Sequence, residues 1–112
     1  MLNQCVLVGK VKELPVIKQT SSGNSLAQLV LEVDRNFRNA DGTLSTDLFQ
    51  VTLWRGIAES CIDVLKSNDL IAVKGRLQAS VYENDKHKTY YNAEVVAEKV
   101  SFISPRIENE IG

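Results

Sequence analysis

Alternation is the feature that most constrains this chain. Most of its apolar residues recur at every second position, the signature of strands with one face in a core and one in water. Residues 26–33 read Leu-Ala-Gln-Leu-Val-Leu-Glu-Val, and residues 48–54 read Leu-Phe-Gln-Val-Thr-Leu-Trp. Residues 70–81 set Ile71, Val73, Leu77, Ala79 and Val81 against Lys74, Arg76, Gln78 and Ser80. Residues 91–102 carry Val95, Val96, Val100 and Phe102, and with Asn3–Val11 at the start this predicts five strands. The first differs from the rest. Val6-Leu7-Val8 is apolar on both sides, which predicts burial on both faces and contact with a second subunit or sheet.

Turn chemistry separates the strands. Ser21-Ser22-Gly23-Asn24, Asn39-Ala40-Asp41-Gly42 and Glu83-Asn84-Asp85-Lys86 fall between apolar runs. One segment has another period. Ile57, Ala58, Cys61, Ile62 and Leu65 recur at three- and four-residue steps. They predict a helix of about three turns between Gly56 and Ser67-Asn68. Three strands, a helix, then two strands is the order of an OB-fold, an all-β five-stranded Greek-key barrel with one helix between strands 3 and 4. The pattern ends after Ser104-Pro105. The expectation is one domain over residues 1–106 and a short flexible tail over 107–112.

At 112 residues the chain has room for one core. It lacks the long apolar run of a membrane helix and the features of a secretory leader, so a cytoplasmic home is expected. Cys5 and Cys61 have no metal-ligand spacing and read as reduced thiols. His87, between Lys86 and Lys88, reads as a solvated loop residue with no zinc-binding partner. No phosphate loop and no nucleophile motif is present. Glu94 and Glu98 are four apart on a strand, over about 12 Å by strand rise and too far for a paired-acid site. Neither an enzyme nor a metal or cofactor is expected. Net charge is −1, from 13 basic and 14 acidic residues, which argues against a strongly basic polyanion binder. Residues 107–112 hold Glu108 and Glu110 and no base, leaving 13 basic against 12 acidic in the body. Such a body binds a polyanion only if its cations gather on one face.

The aromatic residues suggest such a face. Alternation in 48–54 puts Phe49, Val51 and Leu53 on the core side and Leu48, Gln50, Thr52 and Trp54 on the other. An outward Trp54 beside Arg55 suits stacking on a nucleobase with a cation for phosphate. The alternative is a ring that caps the barrel end or a subunit contact. Phe37 lies in Arg35-Asn36-Phe37-Arg38, as a base platform between phosphate contacts or as a loop anchor. Tyr82 opens the fourth-to-fifth strand hairpin near Lys86 and Lys88, for stacking or for stapling the hairpin. Lys74 and Arg76 are further phosphate candidates, or plain solvating charges.

A series of stretches runs along the chain: Asn3-Gln4-Cys5-Val6-Leu7-Val8-Gly9-Lys10, Ser22-Gly23, Asp34-Arg35-Asn36-Phe37-Arg38-Asn39 and Thr52-Leu53-Trp54-Arg55. They continue with Ala58-Glu59, Val73-Lys74-Gly75-Arg76-Leu77-Gln78, Tyr82-Glu83-Asn84 and Glu94-Val95-Val96-Ala97. In this order and spacing they resemble the bacterial single-stranded DNA-binding proteins, and among them the short forms without an acidic C-terminal tail. The resemblance implies an OB barrel, a homotetramer with DNA wrapped on its outside, and stacking on Phe37, Trp54 and Tyr82. It implies a fourth stacking position at Leu48 and a further basic one at Ser80, both departures from the family pattern. It also implies that recruitment of replication and repair enzymes through an acidic tail is absent.

The expected function is sequence-independent binding and protection of single-stranded DNA in replication, recombination or repair, including competence or mobile-element DNA, at the nucleoid. Phosphates are expected to meet Lys10, Arg35, Arg38, Arg55, Lys74 and Arg76, with self-association as a tetramer or a dimer. Two rivals share the fold: a primosomal OB protein acting mainly through protein contacts, and a structural OB dimer that binds no DNA.

Overall fold

A computed structural model describes residues 1–103. The expected tail at 107–112 and the domain boundary at 106 lie outside the described residues. The elements are β1 (Cys5–Gln19), β2 (Ser25–Arg38), β3 (Leu44–Trp54), α1 (Arg55–Ile62), β4 (Leu70–Glu83) and β5 (Thr89–Phe102). The strands close into a barrel in the order β1-β2-β3-β5-β4, with β4 returning to β1. The β3–β5 pair is parallel and short, and every other pair is antiparallel. This is the expected OB topology, with the helix between β3 and β4.

Alternation builds the core. Val11, Leu29, Leu31, Val51, Leu53, Ile71 and Val73 are fully buried, and Ala58, Cys61 and Leu65 close one end over them. Two glycines let the strands coil this tightly. A Cβ at Gly9 would run into the carbonyl oxygen of Glu32, and one at Gly75 into that of Val96.

The structure departs from the sequence expectations in four places. First, β1 runs on from Val11 to Gln19, with register shifts between Val11 and Glu13 and between Glu13 and Val16. Those shifts break the two-residue period that marks a strand. They also place Pro15 where no ladder bond is asked of it. Second, Val6 and Val8 are exposed within the single chain, at 63% and 46%, so no second sheet among the described residues covers them and the expected burial is left to a second subunit.

Third, Leu77, Ala79 and Val81 were expected to face the core but are exposed. From Arg76 onward β4 has left β1, and β5 pairs with β3 only at Val95 and Val96, so beyond Leu77 a two-stranded ribbon leaves the barrel with no described layer beneath it. Fourth, α1 is two turns long, not three. Val64 and Leu65 both donate to the Cys61 carbonyl, and Asn68 at φ 70° reverses the chain. Leu65 therefore still packs on the core, but from the turn after the helix.

Candidate nucleic-acid interface

Trp54 is placed by two elements at once. It ends β3 on the outward side and, with extended backbone, caps α1. The residue is 37% exposed, so it is partly covered by the barrel and partly open to solvent. Arg55 follows in the left-handed region at φ 49°. A non-glycine residue there is uncommon and costs on the order of 1 kcal/mol. Arg55 and Arg76 line one groove with Trp54, Asn24, Gln78 and Glu98. Arg76 donates from Nη1 to Gln78 Oε1 at 2.8 Å, a neutral acceptor.

The outward row of β3 was read correctly for Leu48 and Trp54, both exposed. Thr52 shares that side yet is only 2% exposed. Neighbouring strands cover it with a ladder of polar side chains. The Thr52 hydroxyl donates to Glu94 Oε2 at 2.7 Å and accepts from Gln28 Nε2 at 3.4 Å. Gln50 in turn donates to Gln28 Oε1 at 3.1 Å. This ladder ties β2, β3 and β5 together beside the Trp54 end. On the inward row Val51 and Leu53 are fully buried, whereas Phe49 is only half-buried.

Phe37 sits elsewhere. Lys10↔Glu32 is the last pair between β1 and β2, so beyond it β2 and β3 form a ribbon of their own. Phe37 lies in an irregular stretch of that ribbon, between the Asp34 and Arg38 pairings, and is 63% exposed. It lines a groove with Val6, Val8, Phe49, Arg35 and two acids, Asp34 and Asp47. Phe37 belongs to β2 itself and is no loop residue, because the ribbon extends to Arg38.

Tyr82 is on the β4–β5 ribbon, directly opposite Tyr90. The rings lie 6.1 Å apart, tilted by 33°, and Lys88 Nζ stands 5.3 Å from the Tyr90 centroid. Tyr82 remains half exposed. Sequence reasoning set Lys88 near Tyr82 but passed over Tyr90, the ring that Lys88 approaches. The signal was available, since a five-residue loop between Glu83 and Thr89 sets Tyr82 and Tyr90 in register.

The structure thus joins Trp54 with Arg55 and Arg76, joins Phe37 with Arg35, and leaves Tyr82 with Tyr90. Lys10 and Lys74 are exposed on β1 and β4 but line none of these grooves. Arg38 donates from Nη1 to the Gly42 carbonyl at 2.9 Å, which pins it to the Asn39–Thr43 turn. Arg35 is held by Asp47 at 2.9 Å, the one ion pair among the described residues of this set. Hydrogen bonds from Arg35 hold the Asp47 carboxyl below the usual carboxylate range. Cys5 and Cys61 are free, and burial pushes the Cys61 thiol up. No group of His, Cys, Asp or Glu among the described residues is placed to hold a metal ion. None of the described helices is long and apolar enough to cross a membrane.

Known proteins share the sequence of this chain over nearly its whole length. The chain is 38% identical over 106 residues to Single-stranded DNA-binding protein B of Bacillus subtilis, covering 95% of this chain and 94% of that one. It is also 38% identical over 106 residues to Single-stranded DNA-binding protein A of the same organism, of which it spans 62%. The Single-stranded DNA-binding protein of Staphylococcus aureus is 36% identical over 110 residues, covering 98% of this chain and 70% of that protein. Residues 2–103, the whole barrel and both ribbons, match the Single-strand binding protein family, and the chain belongs to that family.

Proposed function

We propose that this protein binds single-stranded DNA without regard to sequence, and that it does so as a binding protein and not as an enzyme. The Trp54 groove carries the proposal. Partly exposed Trp54 lines one groove with Arg55 and Arg76, neither of them ion-paired among the described residues. Every base has a π-face, so stacking tolerates any sequence, and the arginines supply the attraction to phosphate. Phe37 and Tyr82 are further platforms on the two ribbons, and the relatives' names support the same ligand.

Of the expected phosphate contacts, Arg55 and Arg76 have the strongest support, since they share a groove with a ring. Lys10 and Lys74 extend the contact as exposed charges, while Arg35 and Arg38 are already engaged. The uncovered Val6 and Val8 on β1, and Leu77 and Val81 on the β4–β5 ribbon, support self-association, which we take to be tetrameric. As a single-stranded DNA binder we take it to act in the cytoplasm at the nucleoid, in replication, recombination or repair.

The test uses the single tryptophan of the chain. Titration with oligo(dT) of increasing length is expected to quench Trp54 emission at low salt, with no partner protein present. Affinity should fall as salt rises. Unchanged emission at low salt would remove Trp54 stacking, and with it this reading.

A further inference from the structure

The two ring-bearing grooves differ in charge. The Trp54 groove holds Arg55 and Arg76 against Glu98. The Phe37 groove holds Arg35 against Asp34 and Asp47. Its one base is not free. Arg35 donates from Nε to both Asp47 oxygens, at 3.3 and 3.2 Å, and from Nη2 to Oδ1 at 2.9 Å. This fork is the geometry in which a guanidinium would also grip a phosphate. Both side chains are nearly half exposed, so water screens the pair and its net worth is small.

We infer that Asp47 is an internal competitor for the DNA backbone. It occupies the Arg35 fork until a phosphate displaces it, and so weakens the Phe37 platform relative to the Trp54 groove. The inference rests on the single-strand reading above and assigns a role within it. Asp47 acts on DNA through Arg35, which makes it a positioning residue. A phosphate that takes Arg35 must break the pair and then sit near an unpaired carboxylate. Net cation gain at this groove is therefore close to nil, and few counterions are released there.

The test compares the unmodified protein with Asp47→Asn, Arg35→Gln and the double variant. Each is titrated with labelled oligo(dT) by fluorescence anisotropy over a salt series, after a thermal melt confirms folding. Asp47→Asn should bind about two- to fivefold tighter at low salt, the size of one exposed ion pair. Its plot of log affinity against log salt should steepen by about 0.7, one extra phosphate neutralised on a single strand. Adding Arg35→Gln should abolish both gains. Asp47→Ser repeats the measurement if Asp47→Asn melts early.

An unchanged slope in Asp47→Asn overturns the inference. So does a gain that survives loss of Arg35, since Asp47 would then act only by repelling phosphate. If the unmodified protein fails to bind at all, the single-strand reading falls too. If it binds and Asp47→Asn is indifferent, only the role of Asp47 falls.

Discussion

Replacing Trp54 by Ala separates stacking from charge. Trp54 is 37% exposed, and a single base stacked on it is the contact that truncation removes. One lost stack is worth about 1–3 kcal/mol by alanine substitution. A central value of about 2 kcal/mol is a loss of roughly 30-fold in affinity. Stacking releases no counterions, so the salt slope should not change while the whole line drops. Trp54→Phe keeps a ring and should lose only part of that affinity. The covered part of the indole also supports the β3–α1 junction, so truncation should lower the melting temperature as well. Binding must therefore be measured well below the new midpoint. The assay is anisotropy of labelled oligo(dT), because the variant lacks the one tryptophan whose emission reports binding. An affinity within about threefold of the unmodified protein would refute the stacking argument, since the smallest stack is worth more than that. A changed slope at the same charge would refute the separation of the two terms.

Arg55→Gln and Arg76→Gln should do the reverse. Each should flatten the salt slope by about 0.7, and the two should add, as expected for two separate phosphate contacts. Slopes equal to that of the unmodified protein would mean the cations face solvent only. Gly75→Ala should lower the melting temperature by roughly 5–20 °C, since overpacking costs about 1–3 kcal/mol and each shifts a domain of this size by several degrees. The new methyl meets the backbone of Val96 and Ala97, which cannot rotate away. Gly56→Ala, where the added carbon meets open space, is the control, and scanning calorimetry reads both.

Much of this fold was legible because barrels repeat one simple rule. Residues 26–33 alternate, and Leu29 and Leu31 are indeed fully buried. The same rule failed at Leu77 and Val81, where alternation continues but the barrel does not. A strand in a ribbon keeps its period without gaining a core. The helix shows the same limit. Leu65 fits the helical period and is buried, yet the chain reaches that position through a turn.

The site was half legible. Trp54 beside Gln50 and Thr52 on an outward row pointed to an exposed ring, and the ring is partly exposed. Thr52 itself is buried, because Gln28 and Glu94 reach across from other strands. Arg35 looked free in sequence, twelve residues from the Asp47 that holds it.

By itself the sequence determined what is local: the period of each strand, the turns between them, the place of the helix and the identity of the aromatic residues. Only the tertiary structure decided which of these meet. Closure of the barrel brought Arg76 of β4 to one groove with Trp54 of β3, and the β2–β3 register set Asp47 against Arg35. Charge pairing and burial depend on distances across strands. Those distances follow from register and bulges, which no stretch of sequence specifies without its partner strand.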